Sequence, residues 1–283
     1  MTERNTGSHD LSQLAENLVM VEDGFWVSPG HKDLKFVEAE TTDWLGIEET
    51  SYWYAHRNRC FLAVIRRYPP RGALFEIGAG NGSVALAIQN AGFPVVALEP
   101  TVRLARNSMK RGLRTVICSD LENAQFRPGV LANVGMFDVL EHVPEDVTYL
   151  RSLRHMMPLG GRFYCAVPAW RLLWSHEDEA ASHVRRFSLG ELEGKIAGAG
   201  FAIEYSTYYF AALLVPIFLL RALPTWLGLR KPRSPETSVN EHMLRSGIVS
   251  RLAQKVLDLE VQWLESAHRV VLGASCFVVA RAV

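Results

Sequence analysis

The sequence has few cysteines and no excess of charge of either sign. Its four cysteines, at positions 60, 118, 165 and 276, are far apart and form no Cys-x-x-Cys pair. This spacing predicts buried, reduced thiols rather than a disulfide framework. Thirty lysines and arginines balance thirty aspartates and glutamates, whereas a protein that neutralises many phosphates usually has a basic excess. The charge balance therefore argues against nucleic acid as a partner.

Apolar runs long enough to cross a membrane are also missing. Residues 1–10 are polar and have no apolar core like that of a signal peptide. The uncharged run 208–220 is shorter than the roughly twenty residues that a spanning helix needs, and Pro216 interrupts it. We therefore expect a cytoplasmic protein without a transmembrane anchor. With 48% apolar and 21% charged residues, the composition also excludes a disordered or collagen-like chain.

What the sequence does contain is a regular alternation of short apolar segments with helical segments. The apolar segments predict strands at 73–77, 95–98, 115–118, 130–137, 162–167, 201–206 and 275–280. Strands that alternate with helices form right-handed βαβ units. The pattern predicts an α/β fold, a doubly wound seven-stranded and mostly parallel sheet with helices on both faces.

The chain divides accordingly into four segments. They are an N-terminal helical cover (1–70), the α/β core (71–206), an apolar helical insertion or lid (207–270) and the closing strand of the core (271–283). In the cover, apolar spacing predicts a helix at 11–21, and a second helix at 51–68 begins at Ser51. In the insertion, the apolar spacing predicts a long helix from 243 to 263.

A glycine-rich turn, with Gly78, Gly80 and Gly82, stands where the first core strand meets its helix. Glycine is needed at such a turn because the backbone takes a positive φ and because a ligand approaches it closely. Acidic residues lie in or just after the first four core strands, namely Glu76, Glu99, Asp120 and Asp138. The carboxyl ends of parallel strands meet at one edge, so these residues predict a ligand site there. Carboxylates also end strands simply as turn formers.

This arrangement resembles the class I S-adenosylmethionine-dependent methyltransferases over 73–206 and 275–283. Segment 76–82 matches the first motif of that family, including its acidic residue. The resemblance implies S-adenosylmethionine as the cofactor. It implies that the three glycines line the methionine portion, that Glu99 holds the ribose, and that Asp120 and Leu121 hold the adenine. The alternative is a nicotinamide enzyme, whose fingerprint has a third glycine where Ser83 stands here.

Segments 137–146, 167–187 and 272–275 narrow the resemblance, as does 52–57, which contains Arg57. They are similar to a bacterial subgroup of these methyltransferases found in polysaccharide and lipid-linked glycan pathways. The resemblance implies a small-molecule or glycan acceptor, free or lipid-linked, with a hydroxyl oxygen as the methylated atom. A quinone or isoprenoid acceptor, methylated on carbon or oxygen, is one alternative. A non-catalytic cofactor-binding partner of a membrane-associated enzyme is another.

His142 follows the fourth strand and is the first candidate for a catalytic base. The spacing Asp138-x-x-Glu141-His142 can also present three metal ligands, as in the similar Glu-x-x-Glu-His magnesium site of some quinone and RNA-end methyltransferases. A third interpretation is that Glu141 and His142 cap a helix and brace the cofactor loop. We predict no metal.

The segment 174–187 is unusually rich in His, Asp and Arg for a connecting loop. His176 and Asp178 could form a base with its orienting carboxylate, and His183 is a further catalytic candidate. Arg185 and Arg186 could bind a phosphate or carboxylate of the acceptor. The alternative is an ion-paired loop that orders the next helix.

The apolar insertion allows two interpretations. Apolar and aromatic side chains beside the basic cluster at 230–233 suit peripheral membrane contact through 208–233. They equally suit an apolar lid over the acceptor pocket, packed against the helix at 243–263. A lipid-linked acceptor would make both true. The oligomeric state does not follow from the sequence.

Overall fold

The computed structural model describes residues 11–29, 44–229, 248–266 and 268–283. Three predictions lie outside these residues: the loose segment 1–10, the basic cluster at 230–233 and the first turn of the helix that was expected from residue 243. Within the described ranges no helix is both long and apolar enough to cross a bilayer.

The described residues contain one nine-stranded sheet. The strands are β1 (Val19–Glu22), β2 (Phe25–Val27), β3 (Leu74–Ile77), β4 (Val95–Leu98), β5 (Val116–Cys118), β6 (Asn133–Phe137), β7 (Arg162–Pro168), β8 (Phe201–Tyr209) and β9 (Ser275–Ala282). Their order across the sheet is β1-β2-β5-β4-β3-β6-β7-β9-β8. From β2 across the sheet to β7, each strand runs parallel to its neighbour. β1 and β9 run antiparallel to the strands beside them. The predicted mostly parallel α/β sheet is confirmed, but with nine strands rather than seven.

The helices alternate with these strands as the sequence predicts. They are α1 (Trp44–Thr50), α2 (Tyr52–Arg67), α3 (Ser83–Asn90), α4 (Val102–Lys110), α5 (Leu121–Ala124), α6 (Asp146–Met156), α7 (His176–Ala180), α8 (Leu189–Gly198), α9 (Ala211–Ile217), α10 (Leu223–Trp226) and α11 (Ile248–Glu265). A π-helical turn, Phe218–Ala222, joins α9 to α10. Ser51 caps α2 by accepting a hydrogen bond from the Trp53 amide at 3.2 Å, which confirms the predicted start.

The predicted helix at 11–21 is wrong. The chain forms a short 3-10 turn, Leu11–Gln13, and then the strand β1. Leu11 and Leu18 are buried, as the helical spacing requires, but they enter the core from an irregular segment. A turn at Gly24, with φ +75°, then brings β2 beside β5, where its backbone pairs with a core strand. Such long-range pairing lies outside what local apolar periodicity reports.

Alternate residues of the central strands feed two apolar cores, one on each face of the sheet. In β3, Phe75 and Ile77 join one core and Leu74 the other. Helices α5, α6 and α8 contribute to the first core, and α2, α3, α4 and α11 contribute to the second. The prediction of helices on both faces is therefore confirmed. All four cysteines are buried and free, as predicted.

The insertion is attached to the core through one buried carboxylate, that of Glu260 on α11. It accepts hydrogen bonds from the amides of Phe210 (3.1 Å) and Ala211 (2.7 Å), where β8 turns into α9. It also lies 2.7 Å from His56 Nε2 on α2. Phe210, held at φ +60°, stacks on Trp53 with ring centroids 5.1 Å apart. Glu260 thus joins α2, α9 and α11 in one arrangement.

We expect Glu260→Ala to lower the free energy of unfolding by about 3 kcal/mol, because two backbone amides and a histidine would be buried without their acceptor. Urea denaturation followed by circular dichroism measures this. Glu265→Ala, on the exposed end of the same helix, is the control and should stay within about 0.5 kcal/mol of wild type. Equal stability of the two variants would contradict the anchoring role.

Candidate active site at the carboxyl edge of the sheet

A cavity of about 700 Å³ lies at the carboxyl ends of the parallel strands. Its walls come from the loops after β3, β4, β5 and β6, from α2, from the α7 region and from the start of the insertion. Parallel α/β sheets bind ligands at this edge. The cavity has two ends, which we call the glycine end, around Gly80, and the histidine end, around His183.

Glu99 holds the glycine turn in place. Its carboxylate accepts hydrogen bonds from the amides of Gly80 and Thr101, each at 2.8 Å. At Gly82, with φ +78°, an added Cβ would lie 2.7 Å from Ser108 Oγ, so this glycine permits close packing. At Gly80, with φ +57°, an added Cβ would meet no described atom within 4 Å and would stand at the cavity wall. The two glycines therefore have different roles. Gly80 leaves space open in the cavity for a ligand, whereas Gly82 allows the chain itself to pack closely.

Glu76 is buried in the cavity wall, and its Oε2 has no hydrogen-bond partner among the described residues. Burial raises the pKa of this carboxyl to about 8, and the nearby Glu99 and Glu48 carboxylates add to the shift against the opposing effect of Arg57. Glu76 is therefore protonated at neutral pH. A cationic group in the cavity would favour its ionised form. The site is thus suited to a ligand that carries positive charge.

Asp120 and Leu121 also line this end of the cavity. Asp120 caps α5, because its two carboxylate oxygens accept from the Asn123 amide and side chain, each at 2.6 Å. The turn-forming interpretation thus describes part of what Asp120 does. Leu121 is buried. Their assignment to the adenine ring stays a prediction.

Asp138 and Arg57 form an ion pair between the two ends, with 2.8 Å between Nη1 and Oδ2. Asp138 takes a positive φ of +58°, a strained conformation for a residue with a Cβ. The Arg57 guanidinium lies 5.2 Å from the ring centre of Trp53 and 4.9 Å from that of Tyr54. From the sequence, Asp138 is expected in the cofactor site, whereas Arg57 enters only through the resemblance of segment 52–57 and has no assigned role. The position of Arg57 shortly after Trp53 and Tyr54, in the first turns of α2, was the available signal.

At the histidine end the predicted pair of His176 with Asp178 is wrong. Asp178 lies 2.8 Å from His183 Nδ1 and accepts from Arg186 Nε at 2.7 Å. His176 Nδ1 lies 3.0 Å from Glu179, and the described residues that line the cavity do not include His176. Positions 176 and 178 project in nearly opposite directions because successive helical residues are about 100° apart. Asp178 also accepts from the Ser175 amide, as a capping-box residue does.

His142 faces His183, with 4.9 Å between their ring centres, and both line the cavity. Burial, and then the neighbouring His183, lower the pKa of His142, so its imidazole is neutral at neutral pH. Glu141 beside them is fully buried, and burial followed by Asp138 raises its pKa well above the usual value.

The spacing at 138–142 allowed a metal set that included Asp138. At the histidine end, potential ligand atoms within 4.8 Å of one another come instead from Glu141, His142 and His183. Asp138 is bound to Arg57. The prediction of no metal stays a prediction.

The two arginines of the loop are both engaged by carboxylates of the chain. Arg185 donates to Asp146 at 2.7 Å and to the Pro144 carbonyl at 2.6 Å, away from the cavity lining. Arg186 lines the cavity while bound to Asp178. The ion-paired interpretation of this loop therefore describes Arg185, and the loop also brings His183 to the cavity.

A sequence-family model described as a methyltransferase domain matches residues 52–206. The chain belongs to this methyltransferase family. The cofactor is therefore S-adenosylmethionine. The open wall at Gly80 and the unpaired Glu76 oxygen fit this cofactor, which carries an ammonium and a sulfonium group. A comparison with curated protein sequences gave no match.

Solved structures share the fold of this methyltransferase at low sequence identity. One is a chain from the complex of the Haloferax volcanii Trm112 methyltransferase activator with a methyltransferase, at 14% identity and TM-score 0.54, covering 84% of this chain and 92% of that one. Another is the [4+2]-cyclase SpnF, at 16% and 0.52, covering 87% and 86%. A third is the geranyl diphosphate C-methyltransferase of Streptomyces coelicolor, at 13% and 0.50, covering 80% and 77%. At these identities the likeness shows the fold alone.

We expect Gly80→Val to abolish cofactor binding, because the side chain would occupy the space that the glycine leaves open. Gly92→Val is the matched control, because Gly92 also has a positive φ and open surroundings but lies outside the cavity lining. Both variants should lose about 1–2 kcal/mol of stability from the strained backbone. Calorimetric titration with S-adenosylhomocysteine should show an affinity loss of about a hundredfold or more for Gly80→Val alone. A similar loss in both variants would contradict this role of Gly80.

Cofactor binding should release a proton from Glu76. Its pKa of about 8 keeps it protonated at neutral pH, and the ammonium of the ligand lowers that pKa. Titration with S-adenosylhomocysteine in buffers of different ionisation enthalpy measures the release, which should approach about one proton per ligand. Glu76→Gln should bind without the release. A binding enthalpy of the wild type that is independent of the buffer would refute this linkage.

Proposed function

We propose that this methyltransferase transfers the methyl group to a hydroxyl oxygen of a small-molecule or glycan acceptor, most naturally a sugar of a lipid-linked glycan. The carrying observation is the pair of Asp178 and His183 at the histidine end of the cavity. A hydroxyl acceptor must lose a proton as it gains a methyl group, so it benefits from a general base at this place. The glycan assignment follows from the resemblance of segments 137–146 and 167–187.

Asp178 is suited to orient such a base. Burial by itself would raise the pKa of its carboxyl, but hydrogen bonds from His183 and Arg186 hold that pKa below the usual value. The carboxylate is therefore ionised and accepts the Nδ1 proton of His183, an assignment made from the hydrogen-bond network. The other ring nitrogen of His183, Nε2, lies 3.8 Å from Glu141 Oε1, beyond hydrogen-bond distance. His183 Nε2 is then the atom that accepts the proton of the acceptor hydroxyl.

When bound, S-adenosylmethionine supplies a methyl group that is already activated on a sulfonium. The chain has to hold the acceptor in line with it and keep water away. The aromatic side chains of Trp53 and Phe210 stack on each other at the cavity wall and exclude water from that side. The Arg57 guanidinium, paired with Asp138, places a fixed positive charge between the two ends. His142, neutral and facing His183, positions the acceptor beside the base.

A second candidate acceptor is a quinone or isoprenoid. The wall formed by Trp53, Phe210 and Ile217 favours it, because these side chains give an apolar group a surface to pack on. A phenolic hydroxyl of such an acceptor would use the same base. The non-catalytic alternative would need neither an oriented histidine nor its ionised carboxylate in the cavity wall.

We expect His183→Ala to lower kcat by about a hundredfold or more while leaving the affinity for S-adenosylhomocysteine unchanged. Formation of S-adenosylhomocysteine in the presence of polyprenyl-linked saccharides, free saccharides or hydroquinones is the assay.

His176→Ala is the control, since that side chain lies in the same segment, 174–187, but outside the cavity lining, and it should change kcat less than about twofold. Equal losses in the two variants would refute the assignment of the base. Methylation of carbon or nitrogen in the product would refute the hydroxyl acceptor.

A further inference from the structure

The insertion leaves a group of large apolar side chains exposed. We call this group the insertion surface; it consists of Val215, Leu219, Leu220, Trp226, Leu227 and Leu229. Leu220 and Leu229 are 71% and 76% exposed, and Trp226 is half exposed. Six such residues lie within fifteen consecutive positions of one segment, a higher density than that of the single apolar residues scattered over every protein surface.

The charge of this segment has one sign. Between Glu204 and Glu236 the sequence contains no acidic residue, and its charged residues are Arg221, Arg230, Lys231 and Arg233. The last three lie outside the described residues and follow Leu229 directly in the sequence. Apolar and aromatic side chains combined with basic ones are typical of segments that lie in the interface of an anionic bilayer.

The same segment borders the cavity on its other side. Phe210, Ile217 and Arg221 line the cavity, whereas Val215, Leu219 and Leu220 between and beside them are exposed. The spacing of 217 and 221 places those two residues on one side of a helical segment. A ligand leaving the histidine end past Ile217 would therefore meet the insertion surface.

We propose that the insertion surface docks on an anionic lipid bilayer and that the methyl acceptor reaches the cavity while it remains linked to that bilayer. The bilayer explains both the apolar side chains and the uniform positive charge, whereas a second copy of this chain would account only for the apolar ones. The absence of a spanning helix in the described part of the chain agrees with interfacial contact. The statement about the acceptor rests on the proposed function; the docking does not.

Sedimentation of the full-length protein with vesicles tests the docking. We expect binding to vesicles of phosphatidylcholine with phosphatidylglycerol, weaker binding to phosphatidylcholine alone, and a loss of binding at high salt. The affinity of the double variant Leu227→Ser with Leu229→Ser for these vesicles should fall by about tenfold or more, because two exposed leucines no longer enter the interface. Both positions lie outside the cavity lining.

Leu159→Ser is the matched control. Leu159 is 79% exposed but lies in the turn before β7, at the opposite edge of the sheet. It should bind vesicles as the wild type does. Wild-type protein that ignores anionic vesicles, or a double variant that binds them unchanged, would overturn the proposal. Light scattering that shows a wild-type dimer and a monomeric double variant would also overturn it, since this result would assign the surface to a second copy.

Titration with S-adenosylhomocysteine on the same samples separates the two proposals. The double variant should keep wild-type cofactor affinity. It should also lose activity toward a polyprenyl-linked saccharide in vesicles while retaining activity toward the same saccharide in free form. Docking without activity toward any hydroxyl acceptor would refute the proposed function alone. Equal activity of wild type and double variant in vesicles would refute the link between docking and acceptor delivery.

Discussion

The parallel pairing of β3 with β4 on one side and β6 on the other is the constraint on which the site depends. In this register Ile77 is paired with Leu98 and with Met136. The glycine turn, Glu99 and the loop that contains Asp138 therefore leave the sheet side by side. No side chain has to reach far, because the backbone pairing has already brought three separate parts of the sequence to one edge. Parallel strands make this convergence general, and the residues that follow each strand give it a particular chemistry.

That convergence has an electrostatic cost. Glu76, Glu99, Asp138 and Glu141 all lie in or near the cavity wall, and carboxylates crowded in a buried place disfavour ionisation. Three features reduce this cost. Glu99 accepts hydrogen bonds from two backbone amides, Asp138 forms an ion pair with Arg57, and Glu76 stays protonated. A cofactor with positive charge fits this surplus of carboxyl groups. Arg57 reduces the negative charge on the side toward the histidine end, because it neutralises Asp138.

The segments outside the core complete the cavity rather than merely covering it. α2 contributes Arg57 and the aromatic wall, and the insertion contributes Phe210 and Ile217. Glu260 fixes the two segments to each other through His56 and through the amides at the start of α9. α9 contributes Ile217 to the cavity wall and continues into a segment with exposed leucines. The same part of the insertion therefore lines the cavity and forms the insertion surface. Acceptor access and surface attachment are thus properties of one element.

The sequence by itself determined the alternation of strands and helices and the glycine turn, because these depend on local periodicity and on residues close together in the chain. The cofactor followed from the resemblance of segment 76–82 to a methyltransferase motif, which the family match supports. The sequence also made 174–187 a candidate site segment, several residues of which line the cavity. Only the tertiary structure decided that β1 and β2 extend the sheet, because strand pairing over long sequence distances leaves no local periodicity. Likewise, it decided that Asp178 serves His183 rather than His176, since the turn after α7 reverses the chain and brings residue 183 back to the carboxylate. The pairing of Arg57 with Asp138 joins parts of the chain that only folding brings together.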